Sequence, residues 1–193
     1  MITFFNKKTL ISAFILFLAS PTISFAYIKS GLWNTACERG LLKKQIYINE
    51  FVSTEEHFHQ NVSCSNLSFI FTTDGYIEFS ANEKNFINFI YDKIFLSLHK
   101  EISVNDFNSR KVCGFDNWSL GEKKEITGLK CALFNVNSEA QIPTAGQRRY
   151  GLYLVIENKL YYGQLNQTYD GSSPERRPQQ INRSTEYIFQ NFL

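Results

Sequence analysis

The residues of this chain best suited to moving a proton or holding a metal near neutral pH are its three histidines, His57, His59 and His99. His57-Phe58-His59 has the alternate spacing that puts two rings on one face of a strand, as a shared metal would require. No third ligand is placed by spacing, so no metal site is expected. The four cysteines are Cys37, Cys64, Cys113 and Cys131. They form no Cys-x-x-Cys pair, and the closest two are 18 positions apart, a poor pattern for thiolate zinc. An even count points instead to two disulfides. Three connectivities are available; Cys37–Cys64 and Cys113–Cys131 are expected because both are local and leave no long crossing loop. Each would close a loop of about 20–30 residues, worth roughly 3 kcal/mol in the chain-entropy picture. With every thiol paired, Cys/His catalysis has no nucleophile. No G-x-S-x-G, H-E-x-x-H or P-loop pattern occurs, and nothing fixes the separation of the carboxylates Asp92 and Glu101. The expectation is a non-enzymatic protein with no catalytic residue and no cofactor.

The elements that position these residues begin after a leader. Lys7 and Lys8 precede an apolar run over residues 10–19, followed by the small-x-small triplet Ser24-Phe25-Ala26. That is the order of a signal peptide, with cleavage expected after Ala26. The apolar run is about half of the roughly 20 residues that a spanning helix needs. Residues 1–26 thus read as the signal and 27–193 as one domain, periplasmic or secreted and not membrane-integral. The net charge of the whole chain is +2, and removing Lys7 and Lys8 brings it to about zero. The basic pairs Lys43-Lys44, Arg148-Arg149 and Arg176-Arg177 are separated and read as solvated surface. No basic face for nucleic acid is present.

The body reads as strands. Phe occurs 18 times and Tyr 10 times against a single Met, a bias toward pleated, half-buried surfaces. In residues 45–51, Gln45, Tyr47, Asn49 and Phe51 share one face, with Ile46, Ile48 and Glu50 opposite. Asp74-Gly75 between residues 67–72 and 76–79 is a hairpin signal. Asp92-Lys93 is read as a second turn, between 86–91 and 94–99. Glu157-Asn158-Lys159 is a third, between 150–156 and 160–165. Residues 181–192 close the sheet, and residues 135–147 form a long polar loop. Ser103 with Asp106 three positions on resembles a helix start, so one short helix is expected over 103–109. Eight to ten short strands at hairpin spacing indicate a sandwich or an up-and-down barrel. Gly31-Leu32-Trp33 on the first strand resembles the entry motif of lipocalin-like barrels, where the ring plugs one end; the alternative is a core tryptophan, as in any β fold.

Two runs narrow this further. One is Cys113-Gly114 with Trp118, Gly121, Ile126-Thr127 and Cys131. The other is Tyr161, Gly163-Gln164 and Asp170-Gly171-Ser172-Ser173-Pro174-Glu175, with Arg177-Pro178. Together with Gly31, Trp33, Cys37-Glu38 and Cys64 they resemble the domain of the adenomatosis polyposis coli down-regulated protein family, in order and approximate spacing over nearly all of residues 31–181. The resemblance implies an all-β, antiparallel, lipocalin-like barrel, stapled by disulfides, with an apolar cavity suited to an acyl chain. Animal members carry two such domains and a membrane anchor and antagonise Wnt signalling. This chain has the pattern once and no anchor after the leader, so the Wnt role does not carry over.

An eight-stranded barrel either fills itself or holds one small ligand. Several strands here are apolar on both faces, so one face is free to line a cavity. Phe69, Phe71, Phe89, Leu96, Leu98, Leu152, Leu154 and Tyr162 are the candidate ligand-binding residues, and the expected ligand is a fatty acyl chain or another apolar molecule. The alternative is a protein-interaction module with a filled core, acting through loops 135–147 and 170–178. In that 170–178 loop every residue type has a local backbone role, and Arg176 or Arg177 is placed to stack on an aromatic ring such as Trp33.

Overall fold

The computed structural model describes residues 27–80, 83, 85–133 and 138–190. The expected signal peptide lies outside the described residues. The strands are β1 (Gly31–Thr35), β2 (Leu41–Ile48), β3 (Phe51–His59), β4 (Leu67–Phe79) and β5 (Phe86–Leu98). Helix α1 (Glu101–Arg110) follows, then three short strands: β6 (Lys123–Glu125), β7 (Lys130–Cys131) and β8 (Ala140–Gln141). The chain ends with β9 (Arg148–Ile156), β10 (Lys159–Tyr162) and β11 (Tyr187–Gln190). Eight of these close a ring, β1-β2-β3-β4-β5-β9-β10-β11, with β11 pairing back onto β1 and every pairing antiparallel. The protein is therefore a closed, up-and-down, all-β barrel, with one α-helix among the described residues. Ring neighbours are chain neighbours except where β11 closes onto β1 and at the β5–β9 seam, where residues 99–147 intervene.

Local chemistry explains the tight turns. Ile48 pairs with Phe51 across Asn49-Glu50, and Ile156 with Lys159 across Glu157-Asn158. Asn49 and Glu157 each take a φ of +56°, as two-residue hairpins demand at their first position. Asp74-Gly75 is different. It lies inside one continuous strand, β4, at a bulge opposite β5, and Gly75 does not adopt positive φ. A Cβ on Gly75 would sit 2.2 Å from the Ile90 carbonyl oxygen. The glycine serves close approach of two strands rather than reversal of one. Asp92-Lys93 faces the same bulge, so β5 also runs through an expected turn. The helix likewise starts before the expected Ser103, at Glu101. Lys100 caps it in extended conformation, and Val104 and Phe107 are the buried residues that seat it. Asp106 is held by Arg110 one turn on and caps nothing. Part of the expected 135–147 loop is strand β8, paired with β7.

Two apolar clusters hold the fold. At one end of the barrel, Trp33, Tyr47, Ile77, Ile87, Tyr153 and Leu160 pack together. Trp33 is fully buried, donates its indole N–H to the Lys29 carbonyl at 3.0 Å and leans on Phe189 at 5.0 Å. This is the plug that Gly31-Leu32-Trp33 suggests. The second cluster joins Ile94, Leu96 and Leu98 of β5 to Val104, Phe107, Trp118, Ile126 and Ile142. Here the 99–147 excursion folds over the far ends of β4 and β5. Trp118 donates to the Val112 carbonyl at 3.2 Å and meets Phe107 and Phe115 edge-on. Cys113–Cys131 closes this excursion, and Cys37–Cys64 ties the β1–β2 loop to the β3–β4 loop. Two disulfides fit an oxidising compartment.

Candidate ligand-binding cavity

Side chains of directly paired residues in an antiparallel sheet point to the same face. On β2 and β3 the inward set is Lys43, Gln45 and Tyr47 with Val52, Thr54 and Glu56, since these pair with one another and Tyr47 and Val52 belong to the plug. The outward set holds Ile46 and Ile48, which are 37% and 58% exposed. Polar residues therefore point into this part of the barrel while isoleucines face solvent. That inversion makes sense only if the interior beyond the plug is not a packed apolar core.

The interior is a cavity of about 960 Å³ that opens to solvent beside Glu38, Arg39 and Leu165. Phe71, Phe89, Tyr91 and Ile94 form much of its wall, and Gln45, Thr54 and Thr73 are polar members of its lining. Toward the plug, Tyr162 donates its hydroxyl to Gln45 Oε1 at 2.7 Å and is hydrogen-bonded to the Tyr47 hydroxyl. The Gln45 amide donates to Thr54 Oγ1 at 3.2 Å. Burial pushes the Tyr47, Tyr162 and Tyr187 phenols far above their ordinary range, so all three stay neutral. Nearer the mouth, Lys43 Nζ meets Glu56 Oε1 at 2.5 Å, and both side chains are partly exposed. Lys43 is thus an interior residue and not surface, contrary to the sequence expectation. Arg149 also lines the cavity. It pairs with Phe89 across the β5–β9 seam, which turns it inward, whereas Arg148 faces out and pairs with Glu78 at 3.0 Å.

The structure brings together Phe71, Phe89 and Tyr162 as cavity lining. Phe69, Leu96 and Leu98 share the inner face with Phe71, through the pairs Phe69–Leu98 and Phe71–Leu96, but pack against the helical excursion. Leu152 and Leu154 do not project inward. They alternate with Gly151, Tyr153 and Val155, whose partners Ile87, Tyr162 and Leu160 are interior. Leu152 still reaches the cavity boundary where Gly163 and Pro178 meet it. A period of two separates the faces of β9 but cannot say which one turns inward; the leucine-rich face is the outer one. Lys43, Glu56 and Arg149 are among the cavity residues that sequence reasoning passed over, as are Gln45, Thr54, Thr73, Tyr91 and Ile94. The one available signal was the Gln45/Tyr47 against Ile46/Ile48 alternation.

The histidines are not assembled into a site. His57 bonds Glu55 at 2.8 Å, His59 Nδ1 lies 3.2 Å from the Gly40 carbonyl, and the two rings are 6.5 Å apart. Burial and the nearby His57 lower the pKa of His99. Among the described residues no group of three metal-ligating side chains occurs. Asp92 lies within β5, about 20 Å of strand from the end of β5 that precedes Glu101.

The 170–178 loop is a clamp. Asp170 accepts from the Ser172 amide at 3.0 Å and pairs with Arg176 at 2.7 Å, while Arg176 also donates to the Gln167 carbonyl. Hydrogen bonds from Ser172 and Arg176 hold the Asp170 carboxyl well below the usual carboxylate range. Gly163 has no side chain because Pro178 Cβ would lie 2.5 Å from a Cβ there. Arg177 stacks on Phe86 and Tyr150, at 4.3 and 5.3 Å, and not on Trp33.

Fold and cavity together define an all-β, closed eight-stranded barrel with a lumen open to solvent. No protein-family model matches the chain and no curated protein matches it, so the family resemblance rests on the quoted residues. Among the described residues no helix is long and apolar enough to cross a membrane.

Proposed function

We propose that this protein is an exported, non-enzymatic binding barrel that takes a fatty acyl or other apolar ligand into its open end. The observation that carries the reading is the lumen of about 960 Å³, at the upper end of the roughly 300–1,000 Å³ range of small-molecule sites. Its aromatic and aliphatic wall supplies apolar area, and the Tyr162–Gln45–Thr54 group supplies the few fixed polar contacts that orient a ligand. The Cys37–Cys64 disulfide lies next to the mouth residues Ala36, Glu38 and Arg39, an arrangement suited to keeping the entrance open. The leader over residues 1–26 and the paired cysteines support export. Membership of the resembled family would fit the same reading. A loop-acting interaction module would go with a filled interior, so the open lumen favours a ligand.

Saturable one-to-one binding of a fluorescent fatty acid to the oxidised protein, displaced by unlabelled palmitate, is the expected result. Absence of binding by every acyl probe tried, in a sample whose circular dichroism shows a folded β-protein, would overturn the proposal.

A further inference from the structure

Arg149 is an inward-facing cation of the cavity wall, set deeper in the strands than Glu38 and Arg39 at the mouth. Its pairing with Phe89 turns it inward, and Gly151, the next residue on the same face, points at Ile87 and Phe89. None of the seven ion pairs among the described residues includes it. Among the described residues no hydrogen bond or ring contact occupies its guanidinium either. Lys43, another cation of the lining, is paired with Glu56, and the adjacent Arg148 with Glu78. The stem of Arg149 is accommodated by Gly171, whose φ is +76° and where an added Cβ would lie 3.3 Å from Arg149 Cγ and 2.6 Å from the Tyr150 carbonyl oxygen. The glycine of the Asp170-Gly171 turn thus leaves room for the Arg149 stem on the cavity wall.

A guanidinium beside an apolar wall and without an ion-pair partner is open to an anion, and a carboxylate matches its fork bidentately. We infer that Arg149 anchors the carboxylate of an amphiphilic ligand whose apolar body lies against Phe71, Phe89, Tyr91 and Ile94. One guanidinium balances one negative charge, which suits a monocarboxylate better than a phosphate dianion. The inference rests on the binding-barrel reading and adds the head group to it.

Nile red, a neutral apolar dye, reports occupancy of the cavity without using Arg149. Palmitate and methyl palmitate then compete against it at neutral pH. Palmitate is expected to bind at least about tenfold more tightly than its ester, the scale of one charge-assisted bond. Arg149→Gln should weaken palmitate by a similar factor and leave Nile red and the ester unchanged. Arg149→Lys should keep part of the preference, and Arg148→Gln all of it. Equal affinity for acid and ester in the unaltered protein overturns the role of Arg149 while leaving the binding barrel intact, and needs no variant to fold. If neither dye, acid nor ester binds, the barrel reading fails and the inference fails with it.

Discussion

Replacing Arg177 with alanine should open the β5–β9 seam from outside. The guanidinium donates to the Ile87 carbonyl at 3.0 Å, the Gly151 carbonyl at 2.6 Å and Asn88 Oδ1 at 2.8 Å. Ile87 and Gly151 are cross-strand partners, so one side chain ties both strands and the 170–178 loop together. Desolvation lowers the Arg177 pKa, a sign that the group is partly withdrawn from water. A hydrogen bond to a charged group is worth roughly 1.5–3 kcal/mol, and a stacked cation at a partly exposed site about 0.5–1 kcal/mol. These contributions are not additive, because the freed carbonyls regain water once the loop lifts. A net loss of about 2–4 kcal/mol is the expectation. With a urea m-value of roughly 1–3 kcal/mol/M for a domain of this size, the unfolding midpoint should fall by about 1–2 M. Arg177→Lys should recover only a minority of the loss, since an ammonium cannot reach three acceptors while stacking on Phe86 and Tyr150. Urea titration of the oxidised proteins, followed by fluorescence and circular dichroism together, measures this. A loss below about 0.5 kcal/mol, or full rescue by lysine, would refute the clamp.

Gly75→Ala puts a Cβ 2.2 Å from the Ile90 carbonyl oxygen, so β4 and β5 must separate at the bulge; a loss of about 2 kcal/mol or more in urea titration is expected. Tyr162→Phe leaves Gln45 and Tyr47 short of a partner in a buried site and should lower stability by about 1–3 kcal/mol in the same assay. The phenols of Tyr47, Tyr162 and Tyr187 titrate higher folded than unfolded. The unfolded chain therefore releases these protons first, and the stability tied to them is complete below about pH 10 and falls as pH rises above it. Tyrosinate absorbance at 295 nm, followed alongside circular dichroism during alkaline titration, should show these groups ionising only with unfolding. Replacing Cys37 and Cys64 together with alanine should lower the thermal midpoint, at a cost of about 2–4 kcal/mol.

Much of the fold was legible because strands and hairpins are written locally. The β9–β10 turn and both disulfide pairs follow from spacing and residue type, the plug at Trp33 from the likeness of Gly31-Leu32-Trp33 to a barrel entry motif, and the structure contains all of them. Asp74-Gly75 misled because a turn and a bulge use the same residues, and only the approach of Ile90 distinguishes them. The same limit applies to the site. Phe71, Phe89 and Tyr162 were recognisable as apolar or aromatic strand positions, but Leu152 and Leu154 belong to the outer face.

By itself, the sequence determined the class of the protein: strand-rich and doubly cross-linked. These properties come from residue types and from intervals of two to about thirty positions, and each acts within a strand, a turn or a loop. Only the tertiary structure decided that Arg149 faces inward while Arg148 faces out, that Lys43 and Glu56 meet inside, and that the lumen beyond Trp33 is open. Closing a sheet into a ring assigns one face of every strand to the interior at once. No strand carries that choice alone, because it depends on the register of both neighbours.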